Sequence, residues 1–310
     1  MTEGERRLIV IVGPTAVGKT ELAIRVAKKL RGEIISADSR LFYRGMDIGT
    51  AKPDPVERKK VPHHLIDVVD PDETYSLAVF QREVERLTGE IRARGHLPML
   101  VGGTGQYVLA VVEGWLLPAV KPMPVLRKAL NSWAAEVGEQ VLHDRLALID
   151  PEAAAAIDAR NLRRTVRALE VYFTTGVRFS AQRRKEVLQA DRILVGLNRP
   201  RAELYARIDE RIEQMIAGGL VDEVKQLIAR GYSSDLPSMS AIGYQEIGKF
   251  IEGKISMEEA IVLMKRRTRK FVRRQAAWFK PADPRIHWFN VGDNTEIEVM
   301  DFIQQVLIHG

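Results

Sequence analysis

The first regular feature of the chain is Leu8-Ile9-Val10-Ile11-Val12, five apolar residues without a polar interruption. So short and uniform a run predicts a strand buried on both faces, as in a parallel sheet. A glycine-rich turn follows it, and helical spacing runs from about 21 to 30. Residues 33–38 predict a second strand with Asp38 at its carboxyl end, and residues 64–69 a third. A helix is predicted over 77–94, then a fourth strand over 98–101 that closes on Gly102-Gly103-Thr104-Gly105. Strands alternating with helices of this length predict an α/β fold with a doubly wound parallel sheet. Ligands of such sheets sit beyond the carboxyl ends of the strands, where Asp38 and Thr104 both fall.

From Pro118 the texture changes. Pro118, Pro122 and Pro124 predict a linker, and the stretch from Val125 to Arg184 is rich in Ala, Leu and Arg at helical spacing. Residues 192–197 predict a strand that returns to the sheet. The expected organisation is therefore a core domain of residues 1–120 and 190–310, interrupted by a helical insertion domain over 121–189. Further helices are predicted from Arg201 to Lys280, then a last strand at 286–289 and a closing helix.

Composition narrows the function classes. The 310 residues contain no cysteine, which excludes disulfides, a cysteine nucleophile and any cysteine-ligated zinc finger. No run of 18 apolar residues exists, so no membrane span is predicted. Met1 to Arg7 lead straight into the first strand without a signal-peptide layout, and a cytoplasmic location is the default expectation. The net charge is +6, and residues 256–280 alone hold eight Lys or Arg against two Glu. That placement fits either a surface for a polyanion or a solvated helix face.

The segment Gly13-Pro14-Thr15-Ala16-Val17-Gly18-Lys19-Thr20 has the form G-x-x-x-x-G-K-[ST], between a strand and a helix. Its backbone N–H groups and the helix N-terminus are suited to phosphate oxygens. Lys19 adds a point charge, and the Thr20 hydroxyl is a candidate ligand for Mg²⁺. A phosphate loop does not fix the chemistry. Asp67 or Asp70 could hold Mg²⁺ through water, and Asp38 could do so, serve as a base, or merely cap a turn. Arg207 and Arg211, four residues apart on one helix face, are candidates for leaning over the phosphates, or for surface pairing. His63 and His64 lack the spacing of a metal pair and are expected at a strand entry.

The residues also carry a resemblance. Residues 13–20, Asp38-Ser39-Arg40 and the run from Tyr43 to Pro53 closely resemble the bacterial tRNA dimethylallyltransferases, or tRNA isopentenyltransferases. The likeness continues through His63 to Asp67, Gly102 to Gly105, Arg164 to Tyr172, Ala241 to Tyr244 and Thr268 to Phe279, covering nearly the whole chain in order. It implies a P-loop NTPase-like core and transfer of a dimethylallyl group from its diphosphate to N6 of the adenosine 3′ of the anticodon. The P-loop would then hold dimethylallyl diphosphate with Mg²⁺, Asp38 would take the amine proton beside Thr104, and Lys19 and Arg211 would clamp the diphosphate. The resemblance further implies tRNA contacts from Asp38, Ser39, Arg40, Leu41, Arg127, Arg163, Arg164, Thr165, Val166 and Arg167. It adds Ser240, Ala241, Ile242, Gly243, Tyr244, Gln245, Arg273, Arg274, Gln275, Trp278 and Lys280, in a protein expected to be a monomer.

Two positions depart from the family pattern. Leu41 stands where Gln is usual and offers no hydrogen bond to a target base, and Gln106 stands where an apolar residue is common. The competing readings are an ATP-dependent small-molecule kinase, an adenylate isopentenyltransferase, and a non-catalytic RNA-binding protein. Neither small-molecule enzyme needs an RNA-sized basic surface, and Asp38 with Thr104 at the strand ends argues against a non-catalytic role.

Overall fold

The computed structural model describes residues 7–116, 118, 120, 122–182, 184–185 and 192–309. The chain divides into two compact units, Met1–Val112 with Gln189–Gly310, and Glu113–Leu188. In chain order the larger unit begins with β1 (Leu8–Val12), α1 (Lys19–Leu30), β2 (Gly32–Ser36), α2 (Pro55–Lys60) and β3 (His63–His64). It continues with α3 (Leu77–Ala93), β4 (Leu97–Val101) and α4 (Gly105–Val112). The smaller unit holds β5 (Trp115–Leu116), α5 (Pro124–Val137), α6 (Glu139–Ile149), α7 (Pro151–Ala156), α8 (Leu162–Thr175), α9 (Phe179–Gln182) and β6 (Arg184–Lys185). The larger unit then resumes with β7 (Arg192–Asn198), α10 (Arg201–Ala217), α11 (Leu220–Ala229), α12 (Tyr244–Ile251), α13 (Met257–Trp278), β8 (Ile286–Asn290) and α14 (Thr295–His309).

In the larger unit six parallel strands lie in the order β3-β2-β4-β1-β7-β8. This is a doubly wound P-loop sheet, with β1 at its centre between β4 and β7. Every residue of β1 is buried, as its unbroken apolar sequence requires. Side chains alternate between two cores. Ile9 and Ile11 face one with α1, α10 and α12, and Leu8, Val10 and Val12 face the other with α3 and α4. That packing fixes the carboxyl ends of β1, β2 and β4 side by side.

One predicted strand is corrected. Residues 64–69 do not continue β3 beyond His64, because Leu65 and Asp67 both take φ of 58°, which an extended strand does not allow. The chain turns instead, and residues 67–69 donate to the carbonyls of Leu41 and Phe42. Asp67 is drawn to Lys52 Nζ at 2.6 Å and to Arg58 at 2.8 Å.

The smaller unit is helical around Leu130, Leu142, Leu146, Val166 and Leu169. It starts at Glu113, ahead of the prolines, because Trp115 and Leu116 pair antiparallel with Lys185 and Arg184. Glu170, wholly buried, accepts from Arg127 at 2.8 and 2.9 Å, from Arg167 at 2.6 Å and from the Met123 N–H at 2.7 Å. A buried carboxylate is tolerable only when so fully satisfied.

Candidate active site

The glycine-rich loop connects β1 to α1, and its geometry follows from its sequence. Gly18 takes φ 106° as the cap before α1, and Ala16 takes φ 63°, a left-handed value costly for a residue with a side chain. Cations occupy the loop's outward carbonyls. Arg199 donates to Val17 O at 3.2 Å, Arg207 to Ala16 O at 2.9 Å, and Lys19 Nζ to Gly13 O at 3.0 Å and Pro14 O at 2.8 Å.

A cleft of about 480 Å³ opens beside this loop, lined by Thr15, Ala16, Gly18, Lys19, Thr20, Asp38, Leu41, Thr50, Arg207 and Arg211 among others. Arg211 reaches in from α10, with one nitrogen 3.4 Å from Thr15 Oγ1 and the other 3.4 Å from Thr50 O, while its Nε is buried without a partner. Arg207 lies on the exposed rim. The two arginines that the sequence left open are thus separated, and Arg211 is the inner one.

The cleft is electrostatically poised. Burial lowers the Lys19 ammonium from its ordinary 10.5 to about 8; Asp38 opposes the change and Arg211 adds to it. Burial likewise depresses the Arg211 guanidinium, against the pull of Asp38 and with a push from Arg207. Two cations are held in a desolvated space, and Arg211 disfavours the charge on Lys19. An anion placed there would relieve that cost, so the cleft is suited to phosphate groups.

Asp38 sits two residues beyond β2 and lines the cleft. One carboxylate oxygen accepts the Arg40 N–H at 3.0 Å, so the turn-capping expectation holds. A carboxylate has lone pairs to spare, and the same group can also accept a proton. The following residue, Ser39, donates its N–H to Thr104 Oγ1 at 3.2 Å. Thr104 caps α4, whose first N–H groups from Tyr107 and Val108 point to its carbonyl.

The far wall, residues 46–53, is held by a group the sequence did not single out. The Glu223 carboxylate of α11 accepts the N–H groups of Asp47 at 3.0 Å, Ile48 at 2.8 Å and Gly49 at 3.2 Å, and also the Tyr244 hydroxyl. Lys52 is buried beneath, donating to Tyr43 O at 2.8 Å and pairing with Asp47 and Asp67. Nothing in the acidic start of α11 distinguishes Glu223 from an ordinary helix-end residue.

Several expectations need correction. Asp67 is committed to Lys52 and Arg58, and Asp70 pairs with Arg44 at 3.2 Å, so neither points at the cleft. Of the residues expected to touch RNA, Leu41 is buried in the wall of the cleft, and Thr165, Val166, Ala241, Gly243, Tyr244 and Gln275 are buried elsewhere. Their apolar surface or their polar partners hold them inside. Arg127 and Arg167 are spent on Glu170, and Gln245 is engaged by Arg267. Ser39, Arg40, Ile242 and Gln245 are half-buried, and Arg163, Arg164, Ser240, Arg273, Arg274, Trp278 and Lys280 are exposed. Arg40 donates to Pro237 O at 3.0 Å and Ser238 O at 3.3 Å, which tethers the turn after Asp38 to the segment before α12.

The basic stretch resolves likewise. Lys265, Arg267 and Arg269 on α13 pair with Glu213, Glu246 and Asp209. Arg266, Lys270, Arg273, Arg274 and Lys280 are exposed and form no ion pair among the described residues.

Known proteins resemble the chain along most of its length. The family model described as IPP transferase matches residues 41–282. The chain is 57% identical over 273 residues to the tRNA dimethylallyltransferase of Roseiflexus sp. (strain RS-1), covering 88% of this chain and 90% of the relative. It is 45% identical over 301 residues to that of Geobacillus thermodenitrificans (strain NG80-2), covering 96% and 94%. Among solved structures, the full-length tRNA isopentenylpyrophosphate transferase from Bacillus halodurans aligns with a TM-score of 0.72 at 43% identity, over 98% of this chain and 97% of that one. A eukaryotic dimethylallyltransferase acting on tRNA aligns with a TM-score of 0.81 at 28% identity, over 96% and 80%. A family model matched over most of the chain and relatives aligned along nearly its whole length decide the kinship: the chain belongs to the IPP transferase family.

Proposed function

We propose that this protein transfers a dimethylallyl group from dimethylallyl diphosphate to N6 of the adenosine 3′ of the anticodon in tRNA, releasing diphosphate. The observation that carries the reading is the convergence of Lys19 and Arg211, both desolvated, on a cleft that also holds Asp38. A kinase needs the same grip. The exposed cations of α13 are what a small-molecule kinase has no use for, and what an RNA backbone attracts.

An adenine amine is a weak nucleophile, so the barrier falls chiefly by stabilising the leaving group. The bond from the allylic carbon to the bridging oxygen breaks, and the bond from that carbon to N6 forms. Negative charge gathers on the diphosphate, where the loop N–H groups, Lys19 and Arg211 receive it. The proton lost from N6 passes to Asp38, whose position is fixed through Arg40 N–H and, by way of Ser39, through Thr104. The adenine leaves its stack to reach Asp38, and an anticodon loop already presents splayed bases.

The residues fit a Mg²⁺ ion carried mainly by the substrate. Among the described residues no group of three or more His, Asp or Glu gathers as a metal site. Thr20 would offer a hydroxyl at the start of α1, and Asp38 lines the same cleft. Mg²⁺ binds through few protein ligands when phosphates and water supply the rest, and there it offsets charge on the diphosphate. The insertion unit, with exposed Arg163 and Arg164, adds RNA-facing surface. No helix among the described residues is long and apolar enough to cross a membrane. We place the enzyme in the cytoplasm as a monomer.

The test is direct. Radiolabelled dimethylallyl diphosphate, unmodified tRNA and Mg²⁺ should give labelled tRNA and free diphosphate. Unlabelled tRNA together with brisk ATP turnover would sink this reading in favour of a kinase.

A further inference from the structure

We propose that Gln275 is a positioning residue for transfer, setting the distance between the loop that holds the diphosphate and the loop that carries Thr104. The role rests on the transfer reading above. Gln275 lies on α13 and is only 4% exposed. Its Oε1 accepts the Thr15 N–H at 2.9 Å, and its Nε2 donates to Gly103 O at 2.9 Å. One side-chain amide therefore joins the P-loop to the segment after β4.

The place of this bridge in the sheet gives it meaning. β1 and β4 are laddered through Ile11 and Val101, and Gly102 N–H still reaches Ile11 O at 3.1 Å. Beyond that point the two backbones part, one into the P-loop and one towards Thr104. Gln275 supplies the next rung. Through Gly103 it sets Thr104, which accepts from Ser39 N–H, next to Asp38. The base side and the leaving-group side are thus registered through one amide.

The glycines of the second loop are shaped around the same helix. A Cβ on Gly103 would stand 2.3 Å from Gln275 Nε2, and one on Gly105 would stand 2.2 Å from Trp278 Cγ. Gly102-Gly103-Thr104-Gly105 is accordingly a seat for α13, whereas the first glycine-rich loop is the phosphate seat. Thr15 N–H is already spent on Gln275 and Val17 N–H reaches Pro14 O at 3.4 Å, which leaves the remaining amides of the P-loop to meet the anion. Arg273 and Arg274, exposed on the same helix, make α13 an element with an RNA-facing side and a loop-registering side.

The experiment compares the wild type with Gln275→Leu, Gln275→Glu, Gly103→Ala and the double variant Gly103→Ala/Gln275→Leu. Single-turnover transfer, KM for each substrate and melting temperature are measured. Leu removes both hydrogen bonds at similar volume. Glu keeps the acceptor for Thr15 N–H but sets a buried carboxylate oxygen against Gly103 O, and the melting temperature guards against a variant that folds poorly. The rate should fall on the order of 10- to 100-fold with Leu and at least as far with Glu, and KM for donor and tRNA should hold. Gly103→Ala should slow transfer by breaking the same rung, and the double variant should be no slower than the slower single one. A raised KM for tRNA at unchanged rate would make Gln275 an RNA contact and overturn the proposal. Rate losses that multiply in the double variant, or that track melting temperature, would do the same. A wild type that transfers nothing would overturn the reaction itself, and this role with it.

Discussion

The hydroxyl of Thr104 accepts the Ser39 amide N–H at 3.2 Å, joining two segments 65 residues apart in the chain. It ties the ends of β4 and β2 at the point where Asp38 enters the cleft. A base must lie within hydrogen-bond reach of the proton it takes, so this bond contributes to orientation as well as to folding.

Asp38→Asn should lower single-turnover transfer by about 10²- to 10⁴-fold, with donor affinity retained, because Asn keeps the cap on Arg40 but takes no proton. Thr104→Ala should cost about tenfold, the worth of one hydrogen bond, and Thr104→Ser should restore most of it. Near-normal turnover of Asp38→Asn would remove Asp38 as the base.

Arg211 and Arg207 should separate in kinetics as they do in space. Arg211→Ala is expected to cost about 10²- to 10³-fold in kcat, since it removes a desolvated charge from the leaving group. Arg207 stands on the rim and grips only Ala16 O, so Arg207→Ala should cost far less. Equal losses would show that the rim cation moves inward on binding.

Lys19 gives a pH dependence with a definite sign. Its ammonium is depressed to about 8, so it carries charge below that pH and loses it above. Donor capture, read as kcat/KM at saturating tRNA, should therefore fall about tenfold per pH unit above pH 8. A bound diphosphate draws the proton back, so kcat itself should stay level to higher pH. Lys19→Arg should abolish the alkaline fall of kcat/KM; a fall that persists belongs to another group.

The exposed side of α13 should be visible in salt dependence. Replacing Arg273 and Arg274 with Gln should weaken tRNA binding and reduce the slope of log K against log salt by about one for each. Neutralising Arg267 or Arg269 should leave the slope alone and lower stability instead, because each is paired to a carboxylate on another helix. Filter binding over a salt series decides between them.

The sheet was readable because its strands are buried on both faces and so are written as uninterrupted apolar runs. The P-loop was readable because its chemistry demands glycine, lysine and threonine at fixed spacing. His64 to Val69 reads as a strand because apolar content does not reveal the positive φ at Leu65 and Asp67. Gln275 and Tyr244 stand in polar or aromatic motifs that suit an RNA surface equally well. Only their tertiary partners, Thr15 and Gly103 for one and Glu223 for the other, turn them inward. Long-range hydrogen bonds leave no periodic trace, and Glu223, clasping three successive N–H groups far away in sequence, left none.

Lys19 rests on the carbonyls of Gly13 and Pro14, within its own loop. When product diphosphate departs, the ammonium has a ready resting place in water's stead, and the emptied loop keeps its shape. The exchange between carbonyls and phosphate oxygens lowers the cost of letting go, so the grip that draws the donor in need not become a trap at the end of each turnover.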